Sequence, residues 1–223
     1  MSLRRLFISF APTFFFLSVL LISAGRLDYW QGWVYAGLSL LMSLATRLIL
    51  RKDPDLEKER MRPGVGAKTW DKKLLGLGLL LTLAMLVVAG LDSGRYNWYP
   101  HLSWIWFTPG VILNLAGMTM FLFALKENRF FSAVVRIQND RKQTVCKTGL
   151  YSVIRHPGNA GMILGTIGLP LLFMSAWCAI PVLLSIIVIV IRTYMEDILL
   201  KEELEGYRDY QRITHFRLVP GVW

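Results

Sequence analysis

Long apolar runs constrain this chain more than any other feature of its sequence. Four of them, at residues 6–24, 30–50, 74–91 and 104–125, are each about as long as an α-helix needs to cross roughly 30 Å of hydrocarbon. A fifth run, at 159–191, is too long for one crossing and is interrupted by Pro170 and Pro181. We interpret it as a tight hairpin of two helices, the first of them short. The sequence therefore predicts an all-α, polytopic membrane protein with about six transmembrane helices.

The positive charges predict how these helices are oriented. Of the 25 Lys and Arg residues, 8 lie at 51–73, 7 at 126–155 and 5 from residue 192 onward, whereas only Arg26 and Arg95 fall in the opposite loops. By the positive-inside rule, both termini are expected in the cytoplasm, and the membrane would be the inner one in a bacterium. Because this topology accounts for the net charge of +10, we do not expect nucleic acid as a partner.

The polar segments divide the chain by role. We assign residues 1–125 to a scaffold of four spans and residues 126–223 to a functional region with a basic loop, the hairpin and a C-terminal segment. Within the scaffold, the alternating charges that follow residue 51 and end at Pro63-Gly64 fit either a solvated interfacial helix or a lid. At 196–210 the spacing of Leu200, Leu204 and Tyr207 predicts an interfacial amphipathic helix. The tail from Thr214 is short enough to fold back over the loop before the hairpin.

The segment at 149–161, where the basic loop meets the hairpin, concentrates polar groups. Pro157 suits the first turn of a helix that begins near His156, and free N–H groups at such a helix start attract anions. Arg155 and His156 add side-chain donors there. Gly158 and Gly161 permit close approach of another backbone or of a ligand. We therefore expect the mouth of a ligand site at the membrane surface.

A second polar feature lies at the end of the last apolar run. Arg192 and Glu196 are four residues apart, on one face of a helix. They form either a structural ion pair or part of a functional site, since ionisable groups at a membrane edge are often functional. The sequence contains no nucleotide-binding or hydrolase motif, and its three histidines are too scattered to predict a metal site.

Taken in order, these motifs resemble the integral-membrane methyltransferase superfamily, which includes isoprenylcysteine carboxyl methyltransferases and phospholipid N-methyltransferases. The resemblance covers roughly the last 75 residues. It rests on the following ordered set: Gly149-Leu150-Tyr151, Arg155-His156-Pro157, Arg192-x-x-x-Glu196-Asp197, Leu204-x-Gly206-Tyr207-x-x-Tyr210 and Arg217-Leu218-x-Pro220-Gly221-x-Trp223.

The resemblance implies S-adenosylmethionine as methyl donor, bound on the cytoplasmic side, and a lipophilic or lipid acceptor that enters from the bilayer. It implies catalytic roles for Arg192 and Glu196. Arg192 would orient an acceptor carboxylate, or Glu196 would take a proton from an acceptor amine. Arg155 would suit the donor's carboxylate. Many relatives have Tyr where this chain has Asn159. The implied donor-binding residues are Tyr151, Arg155, His156, Pro157, Asn159, Tyr207, Tyr210, Arg217, Leu218 and Pro220.

Two other readings of the sequence remain. Membrane reductases of sterols and steroids resemble the same C-terminal region and bind NADPH instead. A non-catalytic transporter or assembly protein is disfavoured, because the first four spans contain few polar residues beyond Asn114.

Overall fold

Eight α-helices make up most of the computed structural model, which describes residues 3–61 and 66–223, with side chains from residue 10 onward. They are α1 (Leu3–Ala24), α2 (Trp30–Leu50), α3 (Pro54–Met61), α4 (Thr69–Ala89), α5 (Phe107–Glu127), α6 (Pro157–Leu172), α7 (Ala179–Glu203) and α8 (Tyr207–Ile213). Helix α4 continues into a π-helical turn at Gly90–Tyr96. The described ranges contain isolated bridges but no β-strand, which confirms the predicted all-α class.

Several of these helices have the character of membrane spans. Trp30–Leu50, Thr69–Tyr96 and Trp104–Glu127 are long and apolar enough to cross a bilayer, and Phe10–Ala24 is a shorter apolar helix. Large apolar side chains along them, including Phe14, Leu41, Leu80 and Ile112, are exposed, as expected of residues that face lipid. The protein is therefore a helical membrane protein. The count of six crossings and the cytoplasmic location of the termini stay predictions.

A proline lies at the start of each helix of the hairpin, whereas Pro170, which was expected to interrupt the apolar run, lies inside α6. Pro157 is the first residue of α6 and Pro181 lies in the first turn of α7, where a missing N–H leaves no intrahelical bond unmade. Helix α6 has 16 residues and α7 has 25, and residues 173–178 connect them. This confirms the tight hairpin with a short first helix.

The two charged segments differ from their predictions in detail. Helix α3 forms after residue 51, but Glu59 on it is buried rather than solvated, while Pro63-Gly64 lies outside the described residues. The predicted amphipathic helix at 196–210 is divided in two. Gly206 has a φ of 78°, which suits glycine, and it separates the end of α7 from the start of α8.

The chain clusters into two compact units. Unit 1 comprises Met1–Ala45, Gly78–Ala116 and Leu164–Ile186, and its core contains the fully buried side chains Leu20, Leu86, Leu172 and Phe173. Unit 2 comprises Thr46–Leu77, Gly117–Ile163 and Ile187–Trp223. Its small clusters include one formed by Leu204, Tyr207 and Tyr210. All of the predicted site residues lie in unit 2. The functional division at residue 125 stays a prediction.

Within unit 1, glycines allow α5 and α6 to pack closely. A Cβ atom at Gly168 would lie 2.6 Å from the carbonyl oxygen of Gly110, and one at Gly110 would lie 2.4 Å from the backbone nitrogen of Leu172. Neither backbone atom can move aside as a flexible side chain would. Small residues at such contacts are a common way for membrane helices to associate.

We expect Gly168→Ala to lower the free energy of unfolding by about 1–3 kcal/mol, because the new methyl group overpacks this contact. Thermal unfolding in detergent measures the effect. Gly78→Ala is the matched control, since a Cβ at Gly78 in α4 meets nothing within 4 Å. Equal unfolding temperatures for the two variants would contradict the close contact.

Candidate functional site

The carboxylate of Asp197 on α7 accepts hydrogen bonds from several elements of unit 2. Its side chain is only 2% exposed. Oδ1 accepts from Arg155 Nε at 2.9 Å and Tyr207 OH at 2.9 Å, and it lies 3.2 Å from His156 Nε2. Oδ2 accepts from Arg155 Nη2 at 3.1 Å, Gln211 Nε2 at 3.2 Å and Arg217 Nε at 2.9 Å. We call these six residues the Asp197 cluster.

The charges of this cluster determine its protonation. Burial opposes ionisation of Asp197, but hydrogen bonds from His156 and Arg155, together with the positive charge of Arg155, hold the pKa of this carboxyl well below its ordinary value. Asp197 lies beyond Ile191, where the apolar stretch of α7 ends. In a neutral His156, an ionised Asp197 favours the tautomer that carries the proton on Nε2, and Nδ1 is then an acceptor.

Arg155 serves the fold of this region. Its guanidinium donates to both oxygens of Asp197 and, through Nη1, to the carbonyls of Thr214 and His215 at 2.8 and 2.7 Å. Four of its five N–H groups are therefore used within the protein. One N–H group of Arg155 remains for a ligand, and its use toward the donor's carboxylate stays a prediction.

The C-terminal tail lies along the segment before α6, as its length had suggested. The backbone N–H groups of Arg155 and His156 donate to the carbonyls of Phe216 and Arg217, and Ile154 forms a parallel bridge with Phe216. The guanidinium of Arg217 lies 5.7 Å from the ring centre of Tyr194 and 5.0 Å from that of Trp223. Leu218 in this tail is buried, whereas Pro220 is exposed.

The three predicted tyrosines, Tyr151, Tyr207 and Tyr210, are buried and stabilise the same region by hydrogen bonds. Tyr210 OH donates to the carbonyl of Tyr151 at 2.6 Å, and Tyr151 OH donates to that of Ala124 at 3.4 Å. Burial first, and then the negative charge of Asp197 and its hydrogen bond, raise the pKa of Tyr207 above its ordinary value. These phenols therefore stay protonated and act as donors to the protein.

The side chains of His156, Asn159 and Glu196 meet beside the Asp197 cluster. His156 Nδ1 lies 3.9 Å from Glu196 Oε2, and Asn159 Nδ2 donates to that oxygen at 3.3 Å and to Thr193 Oγ1 at 3.0 Å. Glu196 is 26% exposed, in contrast to the buried His156. The structure thus places His156 Nδ1 and Glu196 Oε2 side by side, and of the two side chains Glu196 is the partly exposed one.

Arg192 pairs with an acid that the sequence did not single out. Its Nε donates to Asp71 Oδ1 at 2.7 Å, and its Nη2 donates to the carbonyl of Ala133 at 3.4 Å. Of the two alternatives for Arg192 and Glu196, the structural ion pair is therefore not the one observed, because the ion pair of Arg192 is with Asp71. Burial opposes the charged form of Arg192, but the negative charge of Glu196 and the hydrogen bond and charge of Asp71 hold the pKa of Arg192 above its ordinary value.

The glycines at the start of α6 serve packing. A Cβ atom at Gly161 would lie 2.8 Å from the carbonyl oxygen of Gly117, and one at Gly158 would lie 2.5 Å from the ring of Phe131. Of the two predicted uses, close approach of the protein itself is the one observed. Pro157 is fully buried and begins α6. Among the described residues, no group of three or more His, Cys, Asp or Glu side chains is arranged to hold a metal ion.

These features define a helical membrane protein with a charged, partly open site formed by the start of α6 and the end of α7. The model of the Isoprenylcysteine carboxyl methyltransferase (ICMT) family matches residues 107–202 of this chain. The match spans α5, the basic loop, α6 and nearly all of α7, and it confirms the resemblance to integral-membrane methyltransferases. It includes His156, Glu196 and Asp197. A comparison with curated proteins returns no match.

Replacing Asp197 with Asn should lower the free energy of unfolding by about 3–5 kcal/mol, because two buried or half-buried arginines would lose their counter-charge. Denaturant titration of the purified protein in detergent measures this loss. Asp209→Asn removes a carboxylate from an exposed pair with Arg212 and should have little effect. A loss no larger than that of the control would contradict the structural role of Asp197.

The depressed pKa of Asp197 also predicts sensitivity to acid. A carboxyl whose pKa is lower in the folded state stabilises the fold above its ordinary pKa, and this contribution is lost as the pH falls through the folded value. Below about pH 4, the unfolding temperature of the wild type should therefore fall more steeply than that of Asp197→Asn. Parallel pH profiles for the two proteins would contradict this.

Proposed function

We propose that this protein transfers a methyl group from S-adenosylmethionine to a lipophilic acceptor that resides in the membrane. The observation that carries the proposal is the meeting of His156 and Glu196, whose Nδ1 and Oε2 atoms lie 3.9 Å apart within the range matched by the methyltransferase family. His156 directly precedes the first helix of the apolar hairpin and Glu196 lies near the end of the second. A polar donor bound beside them would therefore lie next to lipid.

The chemistry of these acceptors suits the donor. When bound, S-adenosylmethionine supplies a methyl group on a sulfonium centre, and its amino acid portion carries an ammonium group. His156 Nδ1 and Glu196 Oε2 are paired acceptors that would hold that ammonium, and Asn159 fixes the Glu196 carboxylate by a hydrogen bond. In this proposal Arg155, Tyr207 and Arg217 hold His156 in place through Asp197.

Arg192 and Glu196 remain the candidates for orienting the acceptor and for removing its proton. A carboxylate acceptor needs no base, and the N–H groups of Arg192 would orient its oxygens. An ammonium acceptor must first lose a proton, and the half-buried Glu196 would then serve as the base instead of as a partner of the donor's ammonium. In either case, alignment of the two reactants and exclusion of water are what the site contributes to the rate.

We expect His156→Ala and Glu196→Ala each to abolish methylation, because each removes one of the paired acceptors. The assay incubates the full chain in lipid with methyl-labelled S-adenosylmethionine and three acceptor sources: a total lipid extract, N-acetyl-S-farnesylcysteine as a carboxylate, and phosphatidylethanolamine as an amine. Glu202→Ala is the matched control, since Glu202 is an exposed acid on the same helix. Its labelling should equal that of the wild type.

A binding titration separates methyl transfer from the reductase alternative. Wild-type protein should bind S-adenosylmethionine saturably and NADPH weakly or not at all. Saturable NADPH binding without S-adenosylmethionine binding would overturn the proposal. Full labelling by both alanine variants would leave methyl transfer standing but would remove His156 and Glu196 from the site.

A further inference from the structure

Asp71, at the start of α4, is an acid with an unusual set of contacts. It is completely buried, its Oδ1 accepts from Arg192 Nε at 2.7 Å, and its Oδ2 accepts from the backbone N–H of Val135 at 2.7 Å. The backbone N–H of Lys68 donates a hydrogen bond to the carbonyl of Val135 at 3.2 Å. Asp71 therefore joins the start of α4 and the basic loop to the end of α7.

The arginine that Asp71 holds differs from Arg136 and Arg155, the two fully enclosed arginines among the described residues of unit 2. Arg136 uses four of its five N–H groups on Glu59 and Asp140, and Arg155 uses four on Asp197 and two carbonyls. Arg192 uses only two within the described chain, on Asp71 and Ala133. Its side chain is also the most exposed, at 13% against 2% for Arg136 and 5% for Arg155.

This difference distinguishes an ion pair that only stabilises the fold from an ion pair whose arginine can also bind a ligand. A guanidinium that only holds elements together satisfies its donors within the protein, because buried donors without partners are costly. Arg192 has its Nε fixed and its charge compensated by Asp71. Its remaining N–H groups stay available, one helical turn before Glu196.

We propose that Asp71 is a positioning residue that holds Arg192 by Nε, so that the remaining N–H groups of Arg192 bind oxygen atoms of the acceptor's head group. The inference rests on the proposed function. It extends the site beyond residues 107–202 and into the part of the chain that the sequence assigned to scaffold. One buried carboxylate thereby links residues 1–125 to the chemistry at 192–197.

The test compares kinetic constants of the full-length protein in lipid, with whichever of N-acetyl-S-farnesylcysteine or phosphatidylethanolamine the wild type methylates. In Asp71→Asn, the amide has one acceptor oxygen instead of two and no charge, so Arg192 loses its counter-charge and is held at Nε only if the Val135 bond is given up. The KM for the acceptor should rise about 10- to 100-fold. The KM for S-adenosylmethionine should change by less than about twofold, since the donor-binding acceptors are untouched.

Glu59→Gln is the matched control. Glu59 is 4% exposed and pairs with Arg136, so the variant disturbs a buried ion pair without touching Arg192. Its acceptor KM should equal that of the wild type. Equal acceptor KM values in Asp71→Asn and Glu59→Gln, or a parallel rise of both KM values in Asp71→Asn, would overturn the positioning role.

A double variant covers the case in which Asp71→Asn does not fold, because Asp71→Asn with Arg192→Gln removes both buried charges together. Its acceptor KM should match that of Arg192→Gln alone, since Asp71 acts only through Arg192. A further rise of more than about threefold in the double variant would overturn this.

A wild type that binds S-adenosylmethionine but methylates no acceptor would overturn the inference while leaving donor binding intact. A wild type without donor binding would overturn the proposed function itself.

Discussion

Unit 2 depends on the burial of one negative charge. Asp197 is surrounded by donors from the segment before α6, from α8 and from the tail, and each of these elements would otherwise bring an uncompensated polar or positive group into the interior. A buried carboxylate with this many charge-assisted bonds is stable as an anion, and it orients its neighbours in turn. The position of the His156 ring, and therefore the direction of its Nδ1, follows from this one interaction.

The same unit contains two kinds of buried arginine, and the contrast indicates where a ligand would bind. Arg136 and Arg155 are saturated by protein acceptors and hold segments together. Arg192 is held at Nε by Asp71 and has N–H groups without a partner among the described residues, and Glu196, one turn later, is partly exposed. The features open to a ligand therefore lie together near the end of α7, beside a region made rigid by the saturated pairs.

Much of this arrangement was predictable, because a helical hairpin returns the chain to the side from which it started. The apolar run at 159–191 predicted the hairpin, and a hairpin brings His156, which precedes it, and Glu196, which follows it, to the same side. The role of Asp197 was not predictable. Adjacent residues on a helix point about 100° apart, and nothing in the sequence showed which acid faced His156. The partner of Arg192 lies 121 residues away, a pairing that only the fold creates.

Ultraviolet cross-linking of methyl-labelled S-adenosylmethionine to the full-length protein, followed by peptide mapping, tests the central claim most directly. The claim is that the start of α6 and the end of α7 together hold a polar methyl donor. We expect the label on peptides that contain residues 149–161 or 192–203. Label confined to residues 78–116, or no labelling above that of a denatured control, would contradict it.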